Sequence, residues 1–199
     1  IQFGIGGVPS AVGRCLKGKQ DLGIHTEMFC DCMVDLIETG IVTNLKKEGI
    51  NIIEYERPVV VPQELIDNNT KAGNLRGNQC YDKLLVFEQT QFEKLVYIDT
   101  DIYILHSLDR LFDMPHMSAM IAGKSYPGNE DWVDLSAGIL TIVPKAGMVA
   151  ELMKKVPEVI EKGGALGDMS ILQTYYYDWP QHPELDMGEK YGVMSYYAH

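Results

Sequence analysis

The run Lys94-Leu-Val-Tyr-Ile98, ending directly in Asp99-Thr-Asp101, constrains the fold of this chain more than any other segment. Successive side chains of an extended strand point to opposite faces. A strand apolar on both faces therefore needs cover on both, which predicts an inner strand over residues 94–98. Carboxylates rarely border such a strand unless they are paired, solvated at its end or holding a metal. Residues two apart share a direction, so Asp99 and Asp101 are expected to address one cation. They fall at the carboxyl end of the strand, where ligands bind in α/β sheets. Hard oxygen ligands suit Mn²⁺ or Mg²⁺, with diphosphate oxygens completing the shell. A D-x-D sequence is common, and a solvated acidic turn between two strands is the other reading these residues allow.

The remaining pattern alternates short apolar runs with amphipathic ones. Strands are expected at 1–5, 21–25, 50–55, 102–105, 118–122 and 137–143. Helices are expected at 31–38, 44–48, 81–89, from the cap Ser107 to Phe112, at 148–156 and at 168–177. Met148, Val149, Leu152, Met153 and Val156 lie on one helical face, and Pro157 starts a fresh turn. Residues 58–79 are polar and show no period, and read as a long loop. Such alternation argues for an α/β fold with a largely parallel sheet.

With 199 residues the chain suits one ordinary domain or two small ones. Its formal net charge of −11 argues against a nucleic-acid partner. It does not argue against an anionic nucleotide, because a divalent cation reverses the local field. No apolar run approaches the ~18 residues of a membrane span, and no signal peptide is evident. Cys15, Cys30, Cys32 and Cys80 lack the C-x-x-C spacing of zinc or redox sites. They read as reduced thiols, which leads to a cytoplasmic expectation.

Three blocks carry a resemblance. Tyr81-Asp-Lys83-Leu-Leu-Val-Phe87-Glu88, the Phe92 to Asp101 segment and Leu108-Asp-Arg-Leu-Phe112-Asp form the first. Leu135-Ser136-Ala137-Gly138-Ile139-Leu140 is the second, and Gly167-Asp168-Met169-Ser170-Ile171-Leu172 the third. In order and spacing they resemble glycosyltransferase family 8, the glycogenin and galactinol synthase type, over residues 45–199. The resemblance implies a single GT-A-like, Rossmann-like nucleotide-sugar-binding domain and retaining transfer from UDP-glucose or UDP-galactose to an unknown acceptor. It implies Mn²⁺ or Mg²⁺ held by Asp99 and Asp101. Lys83, Thr100, Ser136 and Ala137 are implied as donor-binding residues, and Asp168 as the catalytic residue. Two departures stand out: Ser136 replaces the usual Asn, and Met169 replaces the usual Gln, whose hydrogen bonds neither reproduces. The later His-containing block of that family has no counterpart before His199, so a C-terminally truncated domain is expected, with weak binding of Mn²⁺ and UDP-sugar and poor turnover.

The first 47 residues differ. Gly4-Ile-Gly-Gly-Val-Pro9, Asp21-Leu-Gly-Ile-His-Thr-Glu27-Met28, Val34-Asp-Leu and Gly40-Ile-Val-Thr resemble an internal piece of the acetyl-CoA hydrolase and 4-hydroxybutyrate CoA-transferase family. Pro9 excludes a dinucleotide-binding G-x-G-x-x-G. The resemblance makes Glu27 the carboxylate that would form a CoA thioester. A junction of two families is expected near residues 43–48, with the first segment completing the sheet. A nucleotide-sugar-binding or inert domain, and a CoA-transferase fragment, are the alternative functions.

Overall fold

The computed structural model describes residues 59–99, 102, 104, 106–125, 128–188 and 191. The chain divides into two compact units, Ile1–Glu56 and Arg57–His199, and every described residue belongs to the second. The expected strands at 1–5, 21–25 and 50–55, and Glu27, lie outside the described residues.

Helix α1, Gln63–Lys71, occupies part of the stretch expected as a loop. Its inward positions are Leu65 and Asn69, both fully buried. A polar residue on the inward face removes the apolar period by which such a helix is recognised. A 3₁₀ turn, Arg76–Gln79, follows. The expected helix beyond it is also 3₁₀, over Tyr81–Glu88. Its buried side chains are Tyr81, Leu84 and Phe87, every third residue, and the three-residue turn stacks such positions on one face.

Strand β1, Leu95–Ile98, pairs antiparallel with β2, Ile139–Ile142. Leu95 faces Ile142, and Tyr97 faces Leu140. Leu95, Tyr97, Leu140 and Ile142 belong to the main core, while Val96, Ile98 and Ile139 belong to a smaller cluster around Leu111 and Met120. The two faces of the ladder thus separate two cores, as the two-sided apolar run requires. Among the described residues this two-stranded ladder is antiparallel, where a largely parallel sheet was expected. The 118–122 strand is reduced to single bridges, Ala119 to Asp186 and Ile121 to Leu135, of which the first is parallel.

Between the strands a 3₁₀ turn, Asp109–Asp113, has Leu108 rather than the expected Ser107 at its cap; Ser107, one residue earlier, accepts the Asp109 N–H on its Oγ at 3.2 Å. The short helix α2, Ala122–Ser125, comes next. After β2 the expected 148–156 helix ends early, as α3, Met148–Met153, and α4, Val156–Lys162, begins with Pro157 in its first turn. Proline fits there because the N–H it lacks has no helical acceptor. Helix α5 is Asp168–Tyr175. No helix among the described residues is long and apolar enough to cross a membrane.

Candidate functional site

Asp99 follows β1 on the same face as Leu95 and Tyr97, the side that meets the main core. That core also receives the Tyr81–Glu88 turn and α5 through Leu84, Phe87, Ile171 and Leu172. The period of two along β1 therefore aims the Asp99 carboxylate at the elements that carry Lys83 and Asp168. Lys83 Nζ lies 2.9 Å from Asp99 Oδ1 and 3.1 Å from Asp168 Oδ2. It also sits 4.8 Å from the centre of the Tyr97 ring, a cation–π contact. The Tyr97 hydroxyl donates to Asp99 Oδ1 at 2.6 Å.

The local backbone holds each carboxylate. Asp99 N–H donates to the Gly138 carbonyl at 2.8 Å, extending the ladder by one bond beyond the strands. Asp168 begins α5, and its N–H approaches Cys80 Sγ at 3.4 Å. Gly167 before it is extended, and its N–H donates to Ser170 Oγ at 3.2 Å. This is half of a capping box, since glycine has no side chain to return the bond. Burial, and next the Asp168 charge, push the Cys80 thiol up to about 12, so it stays protonated and donates to the Gly77 carbonyl at 3.0 Å.

The side chains of Lys83, Asp168 and Asp99 are 11 %, 13 % and 35 % exposed, so an incoming ligand meets Asp99 first. Asp168 Oδ2 is buried and has no aligned hydrogen-bond donor among the described residues, although Lys83 is close enough to pair with it as a charge. Among the described residues one ammonium faces two carboxylates, which leaves this cluster with a surplus negative charge. A cation would be attracted there, and a lone diphosphate repelled. Asp99 Oδ2 borders the space over Gly138: a Cβ on that glycine would stand 3.7 Å from Oδ2 and 3.9 Å from Ser136 Oγ. The nearest atom to that position is the apolar Ile102 Cδ1, at 3.5 Å, so the Asp99 carboxylate is the one charged oxygen donor there that suits a divalent cation among the described residues.

Lys83, Asp99 and Asp168 are thus brought together, with Ser136 near Asp99. Ala137 is buried in the main core, so a donor contact there would pass through its backbone. Thr100 and Asp101 lie outside the described residues, as does His199. Among the described residues no three His, Cys, Asp or Glu side chains gather as a metal-binding group. Met169 packs against the main core. A recess of about 450 Å³ lies instead beside His116, Val143, Pro144, Lys145 and Met148, and none of the three charged residues lines it. The charge chemistry, rather than this apolar recess, marks the candidate site. Tyr97 went unrecognised as part of it, although its place two residues before Asp99 is a readable signal.

No protein-family model matches the chain. It is 31% identical over 103 residues to UDP-glucuronate:xylan alpha-glucuronosyltransferase 2 of Arabidopsis thaliana, covering 52% of this chain and 16% of that protein. It is 28% identical over 139 residues to glycogenin of Neurospora crassa, covering 67% of this chain and 19% of that protein. A separate similarity, 50% identity over 48 residues, is to succinyl-CoA:cyclohexane-1-carboxylate CoA transferase of Geobacter metallireducens, covering 24% of this chain and 11% of that protein. The chain therefore spans less than a fifth of each of these relatives. Its similarity to enzymes named as glycosyltransferases extends over most of its length.

Proposed function

We propose that the chain is a glycosyltransferase domain of family 8 on a GT-A-like fold, transferring a hexose with retention from UDP-glucose or UDP-galactose in a metal-dependent reaction. The observation that carries this reading is Lys83 bridging Asp99 and Asp168 at the end of β1. Three charged groups from separate segments meet beyond the carboxyl end of β1, and the similarity to glucuronosyltransferases and glycogenin supports the same chemistry.

Asp99, with Asp101, would hold Mn²⁺ or Mg²⁺. When bound, such an ion stabilises the leaving diphosphate, where negative charge develops. The residues supply the rest. Lys83 reaches the site on a flexible stem and offers its ammonium to a phosphate oxygen. Tyr97 orients Asp99 by donating to one carboxylate oxygen, which leaves the other directed toward Ser136 and Gly138. Asp168, paired with Lys83 through its buried Oδ2, would contact the sugar or serve the reacting centre as the catalytic residue. Thr100, Ser136 and the backbone of Ala137 would complete the donor contacts.

Calorimetric titration of UDP-glucose with and without Mn²⁺, paired with a UDP-release assay, tests the reading. Mn²⁺-dependent binding with UDP release is the expected result. Binding without release would instead favour a nucleotide-sugar-binding domain, to which the core-packed Met169 lends weight. Absence of Mn²⁺-dependent binding by UDP and by both sugar nucleotides would end the proposal. Acyl-CoA labelling at Glu27 would support the CoA-transferase alternative.

A further inference from the structure

We propose that Asn69, a side chain touching neither carboxylate, is a positioning residue that sets the spacing between Lys83 and Asp168. It lies on α1 and is fully buried. Its Oδ1 accepts the Leu166 N–H at 2.9 Å. Its Nδ2 donates to Asn78 Oδ1 at 3.0 Å and to the Tyr81 hydroxyl at 3.3 Å. That hydroxyl in turn donates to the Leu166 carbonyl at 3.4 Å. One buried amide thereby ties the residue two before Lys83 to the residue two before Asp168.

The surroundings make this tie specific. Leu166 is reached through Gly163 and Gly164, whose φ of 67° and 82° lie in the left-handed region, so the loop needs an outside anchor to hold one course. Asn74 Nδ2 adds a second bond to the Leu166 carbonyl at 3.2 Å. A Cβ on Gly77 would stand 2.5 Å from that carbonyl oxygen, so the close approach depends on glycine there. Burial pushes Tyr81 up to about 12, which keeps its hydroxyl able to accept from Asn69 and donate to Leu166 together. A buried amide with these partners satisfied is rigid, and losing one partner leaves polar groups stranded.

The inference deepens the donor-site reading and rests on it for its effect on turnover. Its test begins with a quantity independent of turnover. Lys83→Met, Asp168→Asn and the double variant of the full chain are unfolded in urea, in native, Asn69→Leu and Tyr81→Phe backgrounds. Lys83 and Asp168 are expected to be coupled by about tenfold in the unfolding equilibrium of the native background, within the range for contacting charges. The coupling is expected to fall below about twofold in either altered background. Tyr81→Phe removes one hydroxyl and keeps the ring, so it decides the matter if Asn69→Leu does not fold. Unchanged coupling in Tyr81→Phe overturns the proposal.

UDP-glucose turnover is then compared. The positioning role predicts a fall in kcat of about tenfold for Tyr81→Phe, with UDP affinity within about twofold of native. Coupling lost in the altered backgrounds, with a native chain that releases no UDP, would sink the donor-site reading and leave the positioning intact. Preserved coupling and kcat in Tyr81→Phe, with an active native chain, would do the reverse.

Discussion

Strands β1 and β2 are equal in length and similarly apolar, yet all four β2 residues are buried while all four of β1 are half-buried. Sequence composition pointed to the Lys94–Ile98 run as the inner strand. Among the described residues, β2 is the strand enclosed throughout. The difference teaches how the ladder divides its labour. β2 is held on one face by Leu140 and Ile142 in the main core and on the other by Ile139. Thr141 secures its neighbours: its hydroxyl donates to the Pro115 carbonyl and accepts the Ser118 N–H at 3.0 Å. β1 leans on that frame and ends in a partly exposed carboxylate. The strand ends differ too. Asp99 beyond β1 sits in a cluster of charges, whereas the N–H of Val143 beyond β2 donates to Nδ1 of a neutral His116 at 3.0 Å.

The sharpest way to break this comparison is at the β1 end. Asp99→Asn is expected to reduce Mn²⁺-dependent UDP affinity by at least about 100-fold, since changes to outer-sphere partners alone cost 10–100-fold. Its urea midpoint should stay near native, because Asp99 lies outside both cores. Calorimetry and unfolding on the same protein check both halves. A large stability loss with unchanged Mn²⁺ dependence would make Asp99 a structural residue.

Burial sets the next effect. Leu140→Ala is expected to destabilise by about 3 kcal/mol, as for a fully buried leucine. Leu95→Ala, across the ladder and half-buried, should cost about 1 kcal/mol. Urea unfolding of the pair measures the gap. Equal losses would mean that β1 is as enclosed as β2.

The smallest expected effect is the pH response of the β2 end. Burial, and next the Lys94 charge, hold His116 below its ordinary 6.5. Its Nδ1 accepts from Val143, so the neutral ring offers Nε2–H to the Tyr176 hydroxyl, 3.1 Å away. The folded protein thus binds this proton less readily than the unfolded chain. The stability concerned is fully present above about pH 6.5 and is lost as pH falls through the lower folded value. The slope should stay under about 1.4 kcal/mol per pH unit, the ceiling for one proton. His116→Phe should flatten it between pH 5 and 7, and an unaltered slope would place the titration elsewhere.

Several elements were legible because their signal is local. The β1 run, the Pro157 restart and the Gly167-Asp168 helix start all appear where the residues alone predict them. The meeting of Lys83, Asp99 and Asp168 is of another kind: the resemblance named the three residues, and the packing of β1, the Tyr81–Glu88 turn and α5 brings them within ion-pair distance. The α1 helix was not legible, because Asn69 occupies its inward face and looks like a loop residue until its partners are known. The expected single helix at 148–156 splits because the chain turns at Lys154 and Lys155 before Pro157.

What the sequence determined by itself is the set of chemically capable groups and their local directions: a period of two carries the Asp99 side chain onto the face of Tyr97 whatever surrounds them. Tertiary structure alone decided which strand is enclosed, that one lysine serves two carboxylates, and that a buried asparagine spans α1, Tyr81 and Leu166. Those outcomes depend on distances between residues far apart in the chain, as in the 97 positions separating Asn69 from Leu166. Periodicity acts over a few residues, while burial and charge pairing act through space, so only packing brings them into being.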